Sequence, residues 1–405
     1  MKILFLGLTT IDSLTKHDMY TDLLRALSNK GHTIFCVTST ERRKHKNTSC
    51  LYESKNGILQ VKTLNIQKTN IFEKGLGTLL ITNQFKKAIK KYFKGIKFDL
   101  ILYPTPPITL YGVVKYFKKK DGAKAYLMLK DIFPQNAVDL GLIKTTGING
   151  LIYKYFRKQE KRLYSISDRI GCMSDANVDY VLKHNPELAK DKIEVFPNCI
   201  EVCEHSLTDS EKRQIREKYH LPLDKNIFVY GGNLGKPQGI HFIIDCLKSK
   251  KADDRVFFLI VGDGTEFKIL EEYFLNSKQS NFLLMNRLPA DEFDRMIASC
   301  DVGLVFLDYR FTIPNFPSRM LSYMQAHLPI LACTDTVTDV GKMLEENDCG
   351  WWCESNDSQL FSNAIDKILS SSYADKGQNS FNCLLKSYST DEVSKKVDFF
   401  INQKS

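Results

Sequence analysis

The chain has 405 residues, 43% of them hydrophobic and 26% charged, and this length and composition predict a globular protein of about two domains. No apolar run approaches the roughly 20 residues that span a membrane, which argues against a transmembrane helix. The net charge of +10 is uneven, since residues 1–200 carry a net +17 and residues 201–405 a net −7, so we expect the first half to meet a polyanion or an anionic membrane.

Two further features bear on the compartment and on metals. Eleven cysteines, an odd number, are scattered along the chain, which favours reduced thiols in the cytoplasm. The pairs Cys199/Cys203 and Cys349/Cys353 have C-x-x-x-C spacing, not the C-x-x-C spacing of zinc sites. The apolar run Ile3–Leu6 is too short for a signal-peptide core. We therefore expect a cytoplasmic protein without a structural metal.

The first half alternates predicted strands with predicted helices. Apolar and β-branched runs predict strands at Lys2–Leu8, Thr33–Val37, Asp99–Tyr103, Ala125–Leu129, Ser167–Met173 and Lys192–Phe196. Helical spacing of apolar residues predicts helices at Met19–Leu27, Phe85–Phe93, Ile108–Phe117 and Ile152–Tyr164. Glu41–Cys50 is predicted to be a polar loop, and Cys199–Ser206 a linker. This alternation is typical of a parallel sheet with helices on both faces.

The second half repeats the alternation. Its predicted strands are Ile227–Tyr230, Val256–Val261, Phe282–Leu284, Val302–Phe306 and Ile330–Ala332. Asp391–Ile401 is amphipathic and is predicted to be a helix. We predict an α/β protein with two doubly wound, Rossmann-like domains facing across a cleft. The predicted domains are residues 1–203 and 204–385, with a C-terminal helix at about 386–405 packing back on the first.

A glycine-rich stretch follows the first predicted strand of the second half. Gly231, Gly232, Gly235 and Gly239 fall between that strand and a helix containing Ile240. A strand, a glycine-rich turn and a helix point backbone N–H groups at an anion, and the glycines leave room for a phosphate. The stretch is neither a Walker loop nor G-x-G-x-x-G. The alternative is an ordinary tight turn.

A second stretch, Leu307–Ser318, follows another predicted strand. In open α/β sheets ligands bind beyond the carboxyl ends of the strands, so such residues are candidates for binding. Ser318 is predicted to cap a helix at Arg319–Gln325. An arginine at this helix start, opposite the glycine-rich turn, would form a diphosphate cradle. The alternative is a plain capped helix with a solvated arginine.

Six motifs together resemble a known family. They are YLMLKDIFPQNAVDLGLI (Tyr126–Ile143), IGCMSDANVDYV (Ile170–Val181), VFPNCIE (Val195–Glu201), GGNLGKPQGI (Gly231–Ile240), VGDG (Val261–Gly264) and FPSRMLSYMQAHLPIL (Phe316–Leu331). In this order they resemble the bacterial retaining glycosyltransferases of family 4, of GT-B fold, that build capsule, O-antigen or exopolysaccharide. The resemblance implies transfer of a hexosyl or N-acetylhexosaminyl group from a nucleotide-sugar, with a UDP-sugar expected. The donor is then bound by the second domain and the acceptor by the first.

The resemblance also assigns site residues. The family's diphosphate-binding Arg and Lys correspond to Asn233 and Gln238, with Lys236 between them, and its Glu-x7-Glu pair corresponds to Pro314 and Ser322. Because those charges are missing, Arg319 is expected to supply the phosphate contact and N–H groups of Asn315–Ser318 the sugar contact. The implied donor site comprises Gly231, Gly232, Asn233, Lys236, Gln238, Gly262, Asp263, Asn286, Arg287, Pro314, Asn315, Phe316, Pro317, Ser318 and Ser322.

Catalysis in such enzymes is mainly electrostatic, because the leaving diphosphate can itself take the acceptor proton. The resemblance implies Arg319, Lys130 and Asp131 as catalytic residues. Asp131 would orient or deprotonate the acceptor hydroxyl, or would only cap the next turn. The chain has no Asp-x-Asp motif, so we predict no bound metal and no cofactor. The implied acceptor is a glycan on undecaprenyl diphosphate.

Two other functions remain open from the sequence. One is a nucleotide-sugar 2-epimerase of the same fold. The other is a basic, non-enzymatic nucleic-acid-binding protein, although the acidic second half and the sugar-nucleotide motifs argue against a nucleic-acid partner.

A basic amphipathic helix suggests where the protein is located. Phe85, Ile89, Tyr92 and Phe93 share one face of a predicted helix, and lysines cover the rest. Such a helix can lay its aromatic side into the headgroups of an anionic membrane. We therefore expect a peripheral protein on the inner face of the cytoplasmic membrane. The alternative is that this face packs in the domain core.

Overall fold

The structure is a computed structural model that describes residues 1–66, 71–203 and 207–403. The chain divides into two compact units. The N-terminal unit is Met1–Glu201 with Thr390–Ser405, and the C-terminal unit is Val202–Ser389. Part of the predicted linker, residues 204–206, lies outside the described residues. Among the described residues, no helix is both long and apolar enough to span a membrane.

The N-terminal unit is a doubly wound sheet of eight strands in the order β3-β4-β2-β1-β5-β6-β7-β8. The strands are β1 Lys2–Gly7, β2 Thr33–Glu41, β3 Ser49–Glu53, β4 Asn56–Thr63, β5 Leu100–Pro104, β6 Lys124–Leu129, β7 Arg169–Cys172 and β8 Ile193–Val195. The helices are α1 Met19–Asn29, α2 Ile71–Tyr92, α3 Tyr111–Asp121, α4 Gln135–Asp139, α5 Gly147–Ile166 and α6 Asp175–His184. Every pair of neighbouring strands is parallel except β3 and β4.

The last helix of the chain belongs to this unit. α15, Thr390–Asn402, buries Val393, Val397 and Phe400 in the same apolar cluster as β1 and α1. Asp398 accepts a hydrogen bond from the His32 ring at 2.7 Å. The amphipathic pattern of this segment thus serves core packing against the N-terminal sheet.

The C-terminal unit is a second doubly wound sheet, of six parallel strands in the order β11-β10-β9-β12-β13-β14. The strands are β9 Asn226–Asn233, β10 Val256–Asp263, β11 Phe282–Asn286, β12 Val302–Phe306, β13 Ile330–Thr334 and β14 Gly350–Glu354. The helices are α7 Asp209–Lys218, α8 Ile240–Ser249, α9 Phe267–Ser277, α10 Ala290–Ile297, α11 Arg319–Gln325, α12 Val340–Glu346, α13 Ser358–Leu369 and α14 Ala374–Cys383. Chain order reverses at β9, which lies between β10 and β12.

The predicted fold class, α/β with two doubly wound sheets, is confirmed, with three strands added. β3 and β4 form a hairpin in a region where only the loop Glu41–Cys50 was predicted, and β14 was not predicted. β3 is an edge strand whose side chains are mostly exposed, so it lacks the apolar run that marks a buried strand. The prediction at Glu41–Cys50 is therefore wrong at both ends, since β2 runs to Glu41 and β3 starts at Ser49.

The prediction that the aromatic face of the Phe85–Phe93 helix contacts a membrane is also wrong. This segment is the end of α2, and Phe85, Ile89 and Phe93 are buried. The Phe93 ring packs edge-on against Phe35 of β2, with 5.1 Å between ring centroids. The aromatic face therefore stabilises the sheet, because burying a large apolar side chain contributes about 1.5–3 kcal/mol.

Candidate functional site

The point where strand order reverses places two predicted segments side by side. The glycine-rich stretch begins at the end of β9, which includes Gly231 and Gly232. Leu307–Ser318 follows β12, and the two strands are neighbours. The backbone N–H of Asp308 donates a hydrogen bond to the carbonyl of Pro237 at 2.9 Å, which ties the second segment to the first. A doubly wound sheet has its ligand crevice at such a reversal.

At this reversal the carboxyl ends of three neighbouring strands are in register. Gly232 of β9 is in register with Gly262 of β10, which is in register with Asn286 of β11. A Cβ on Gly262 would lie 2.0 Å from the Gly232 carbonyl oxygen, so only glycine fits there. The next register pair is Asn233 and Asp263, and Arg287 lies 4.0 Å from the Asp263 carboxylate.

Arg319 is the cation of this site. Its side chain extends from the start of α11 over Gly232, where a Cβ would lie 3.3 Å from the arginine Nε. The guanidinium also lies over the Phe293 ring, 5.1 Å from the centroid. Within the described residues the buried Nε has no hydrogen-bond acceptor and no carboxylate pairs with Arg319. The structure thus positions a charged group and leaves it available to an anion.

Two aromatic side chains that the sequence did not single out hold this arrangement. Phe293 of α10 occupies the space where Gly231 would carry a Cβ, 2.0 Å from the ring. The Tyr323 hydroxyl accepts a hydrogen bond from the Gly231 N–H at 2.9 Å, and burial raises the pKa of that hydroxyl. Both residues lie on the buried faces of helices, so in the sequence they resemble ordinary core positions.

Asn233 and Gln238 stand where the family has its diphosphate-binding cations, and their side-chain amides hydrogen-bond to each other. The Asn233 side chain donates to Gln238 Oε1 at 2.8 Å, and the Gly235 N–H donates to the same oxygen at 3.2 Å. The turn is therefore closed by its own side chains, while Lys236 points outward and is exposed. Gly239, with φ +65°, ends this turn where α8 begins.

The segment Pro314–Ser318 is anchored from outside the turn. Thr338 donates its hydroxyl to the Asn315 carbonyl at 2.6 Å, and the Phe316 ring stacks on Tyr388 at 5.8 Å. Ser318 is exposed and occupies the predicted N-cap position of α11, but its side chain makes no capping hydrogen bond. Its backbone is already helical, which does not suit a capping side chain. Pro317 and Ser322 are half-buried, and Pro314 is buried.

Lys130 and Asp131 follow β6 in the N-terminal unit. Lys130 Nζ donates to the Pro197 carbonyl at 3.1 Å, and burial lowers the pKa of this lysine to about 8. Burial raises the pKa of Asp131 to about 6, although both its oxygens accept hydrogen bonds from the Asn136 amide at 2.7 Å. Asp131 therefore restrains the turn into α4, and burial holds its pKa above the usual range of a carboxylate.

One group of side chains among the described residues has the spacing of a metal site. The ligand atoms of His17, Asp22 and Glu201 lie within 4.8 Å of one another. Arg25 lies among them: its Nη2 is 2.6 Å from the Asp22 carboxylate, 3.2 Å from the His17 ring, and also bonds to Glu201. The residues therefore do not suit a cation, because a guanidinium already occupies the centre of the group.

Comparison with known proteins defines the class of this chain. Residues 19–203 match the model of "Glycosyltransferase Family 4", and residues 211–382 match the model of "Glycosyl transferases group 1". The chain is a glycosyltransferase of the GT-B fold, and this class excludes the non-enzymatic alternative.

Particular relatives agree with this class. The probable glycosyltransferase WbjE of Pseudomonas aeruginosa is 25% identical over 74% of this chain and 73% of its own. The putative colanic acid biosynthesis glycosyl transferase WcaI of Escherichia coli K12 is 22% identical over 85% of this chain and 86% of its own. Anabaena HepE, solved in complex with UDP, has a TM-score of 0.69 and 13% identity, with full coverage of both chains.

Proposed function

We propose that this enzyme transfers a sugar from a UDP-sugar to the glycan of a lipid-linked acceptor during surface-polysaccharide biosynthesis, with retention at the anomeric carbon. The observation that carries the proposal is Arg319, which has no carboxylate partner among the described residues and is positioned over Gly232 where strand order reverses. HepE, whose fold this chain shares, was solved with UDP, and WcaI is named for colanic acid biosynthesis.

The reaction follows from the charge at this site. The bond between the anomeric carbon and the donor diphosphate breaks, and its electron pair leaves with the diphosphate. Arg319 and the N–H groups after β9 stabilise that negative charge as it develops. The acceptor oxygen bonds to the anomeric carbon on the face the diphosphate leaves, and its proton passes to a diphosphate oxygen. This step uses neither a protein nucleophile nor a metal.

We assign the acceptor to the N-terminal unit. At neutral pH Asp131 is mostly ionised, because its pKa is about 6, and it can accept a hydrogen bond from the acceptor hydroxyl. Lys130, with a pKa of about 8, remains mostly protonated there and contributes a second cation. The acceptor we propose is a glycan on undecaprenyl diphosphate, with no cofactor involved.

The same proposal places the enzyme on the inner face of the cytoplasmic membrane. Its support is the exposed charge of the N-terminal unit, where α2, α3 and α5 carry the solvent-facing lysines Lys87, Lys90, Lys91, Lys115, Lys119, Lys154 and Lys158, and Lys94 follows α2. Lysines near an anionic surface attract it by about 1 kcal/mol each and are screened by salt.

A substitution at Arg319 tests the donor site. Arg319→Ala should lower the turnover number by about 10²–10³-fold, because one charge-assisted contact to the leaving diphosphate is lost. Arg319→Lys should recover part of that loss. Arg295→Ala, an exposed arginine of α10, is the matched control and should keep full turnover. Undiminished turnover in Arg319→Ala would place the diphosphate elsewhere.

A further inference from the structure

A basic groove runs along α5 on the N-terminal unit. Its larger part is a cavity of about 760 Å³ between α5 and residues 187–192. Six cations line it, namely Lys154, Arg157, Lys158, Lys161, Arg162 and Lys192, together with one carboxylate, Glu187. A concave site of this volume is large enough for a small ligand, and its charge selects an anion.

Most of the charge in the cavity is not neutralised by the protein. Glu187 pairs with Lys161 at 3.0 Å, and Arg157 pairs with the buried Glu160 at 2.5 Å. In the part of the chain that the structure describes, Lys154 and Lys158 have no carboxylate partner. Arg162 lies over the Tyr111 ring, 5.7 Å from its centroid. Lys192 donates to the Ser165 carbonyl at 3.1 Å and, like the other three, has no carboxylate partner there. Among the described residues, four of the six cations thus face the cavity without an anion.

The same helix presents large apolar side chains beside these cations. Leu151, Ile152 and Tyr155 are 67%, 45% and 39% exposed. Residues three and four apart lie on one face of a helix, so Leu151 adjoins Lys154, and Tyr155 adjoins Lys158. An apolar surface continuous with uncompensated cations matches a phosphate carried by a hydrocarbon chain better than it matches a wholly polar polyanion.

A smaller cavity continues the groove toward the proposed acceptor residues. It has a volume of about 330 Å³ and shares Tyr153, Arg157 and Lys161 with the larger one. It reaches Pro134 and Gln135, at the start of α4 and a few residues after Asp131. Its wall includes tyrosine rings and amide side chains, and such a surface can stack on and hydrogen-bond to a sugar.

We propose that the α5 groove binds the phosphate or diphosphate that joins the acceptor's glycan to its lipid. The phosphate oxygens meet Lys154, Lys158 and Arg162, the first carbons of the lipid lie along Leu151 and Ile152, and the adjoining sugar enters the smaller cavity. The inference rests on the proposed function, because it locates the acceptor that this function requires.

Vesicle binding tests the inference. Phosphatidylcholine vesicles carry either a prenyl diphosphate or phosphatidylglycerol at matched surface charge, and binding of the full chain is measured by co-sedimentation. The wild-type protein should bind the prenyl diphosphate vesicles more tightly. The triple variant K154Q/K158Q/R162Q should weaken that binding on the order of tenfold, and the effect should shrink as salt rises.

A matched variant separates a site from general charge attraction. K268Q/K342Q/K367Q removes three exposed charges from α9, α12 and α13 of the C-terminal unit and should change binding less than about twofold. Equal losses in the two triple variants, or equal wild-type binding to both kinds of vesicle, would overturn the inference. If the α5 triple variant does not fold, K158Q alone should still weaken prenyl diphosphate binding, and unchanged binding would overturn the inference. UDP binding is measured in parallel, since its absence in the wild-type protein would contradict the proposed function and leave the vesicle result standing.

Discussion

Gly232 offers a test that links backbone conformation to the proposed chemistry. Its φ of +141° is one that side-chain-bearing residues rarely adopt, and its missing Cβ faces Arg319 at 3.3 Å from Nε and 3.4 Å from Nη2. A side chain at this position therefore has two consequences. It strains the backbone at the end of β9, and it pushes the guanidinium from its place over the glycine.

The two consequences have separate magnitudes. Backbone strain of this kind costs about 1–3 kcal/mol, which lowers the melting temperature of a unit of this size by roughly 2–12 °C. Alanine places its Cβ against the guanidinium and should lower turnover about tenfold. Valine adds methyl groups that would overlap with the guanidinium. The turnover number of Gly232→Val should therefore fall nearly as far as the 10²–10³-fold expected for Arg319→Ala.

Gly31→Ala is the matched control. Gly31 has φ +94°, but no atom lies within 4 Å of where its Cβ would be. This variant should lose stability and keep full turnover, measured by thermal unfolding and by UDP release with a glycan acceptor. In an Arg319→Ala background, Gly232→Val should cost no further activity, because both changes remove the same contact. Full turnover in Gly232→Val, or additive losses in the double variant, would refute the reasoning.

Two further predictions concern Asp131 and metals. Because burial raises the Asp131 pKa to about 6 from an unfolded value near 3.9, the folded state binds the proton more tightly, and this contribution to stability is present below about pH 4 and lost as pH rises through 6. In thermal unfolding, Asp131→Asn should therefore gain stability relative to wild type as pH rises from 4 to 7. In the pH dependence of the transfer rate, the same variant should lose the acidic limb near pH 6. Parallel wild-type and variant curves would contradict both expectations. Transfer should continue in excess EDTA, since the proposed chemistry is carried by Arg319, and loss of activity restored by Mg²⁺ or Mn²⁺ would contradict this.

Local patterns in the sequence were sufficient to predict most of the fold. Buried parallel strands are continuous apolar runs, so Val302–Phe306 was predicted with the bounds that the structure shows. β3 was missed because an exposed edge strand has no such run, and β4 because polar residues, namely Asn56, Gln60 and Lys62, interrupt its apolar run. The Phe85–Phe93 helix was predicted, but its aromatic face was assigned to a membrane, because an apolar helix face looks the same whether a lipid or a sheet covers it.

Local spacing in the sequence indicated several parts of the candidate site. The glycines after β9 and the arginine before the helix at Arg319–Gln325 were recognisable from local spacing, because a close backbone approach needs glycine and an anion needs a cation. Tertiary structure alone decided that they meet. Strand order places β9 beside β12, so Arg319 comes to lie on Gly232, and only packing identifies Phe293 and Tyr323 as their supports. The hydrogen bond between Gly231 and Tyr323 joins residues 92 positions apart, and strand order, which local patterns do not encode, brings them together.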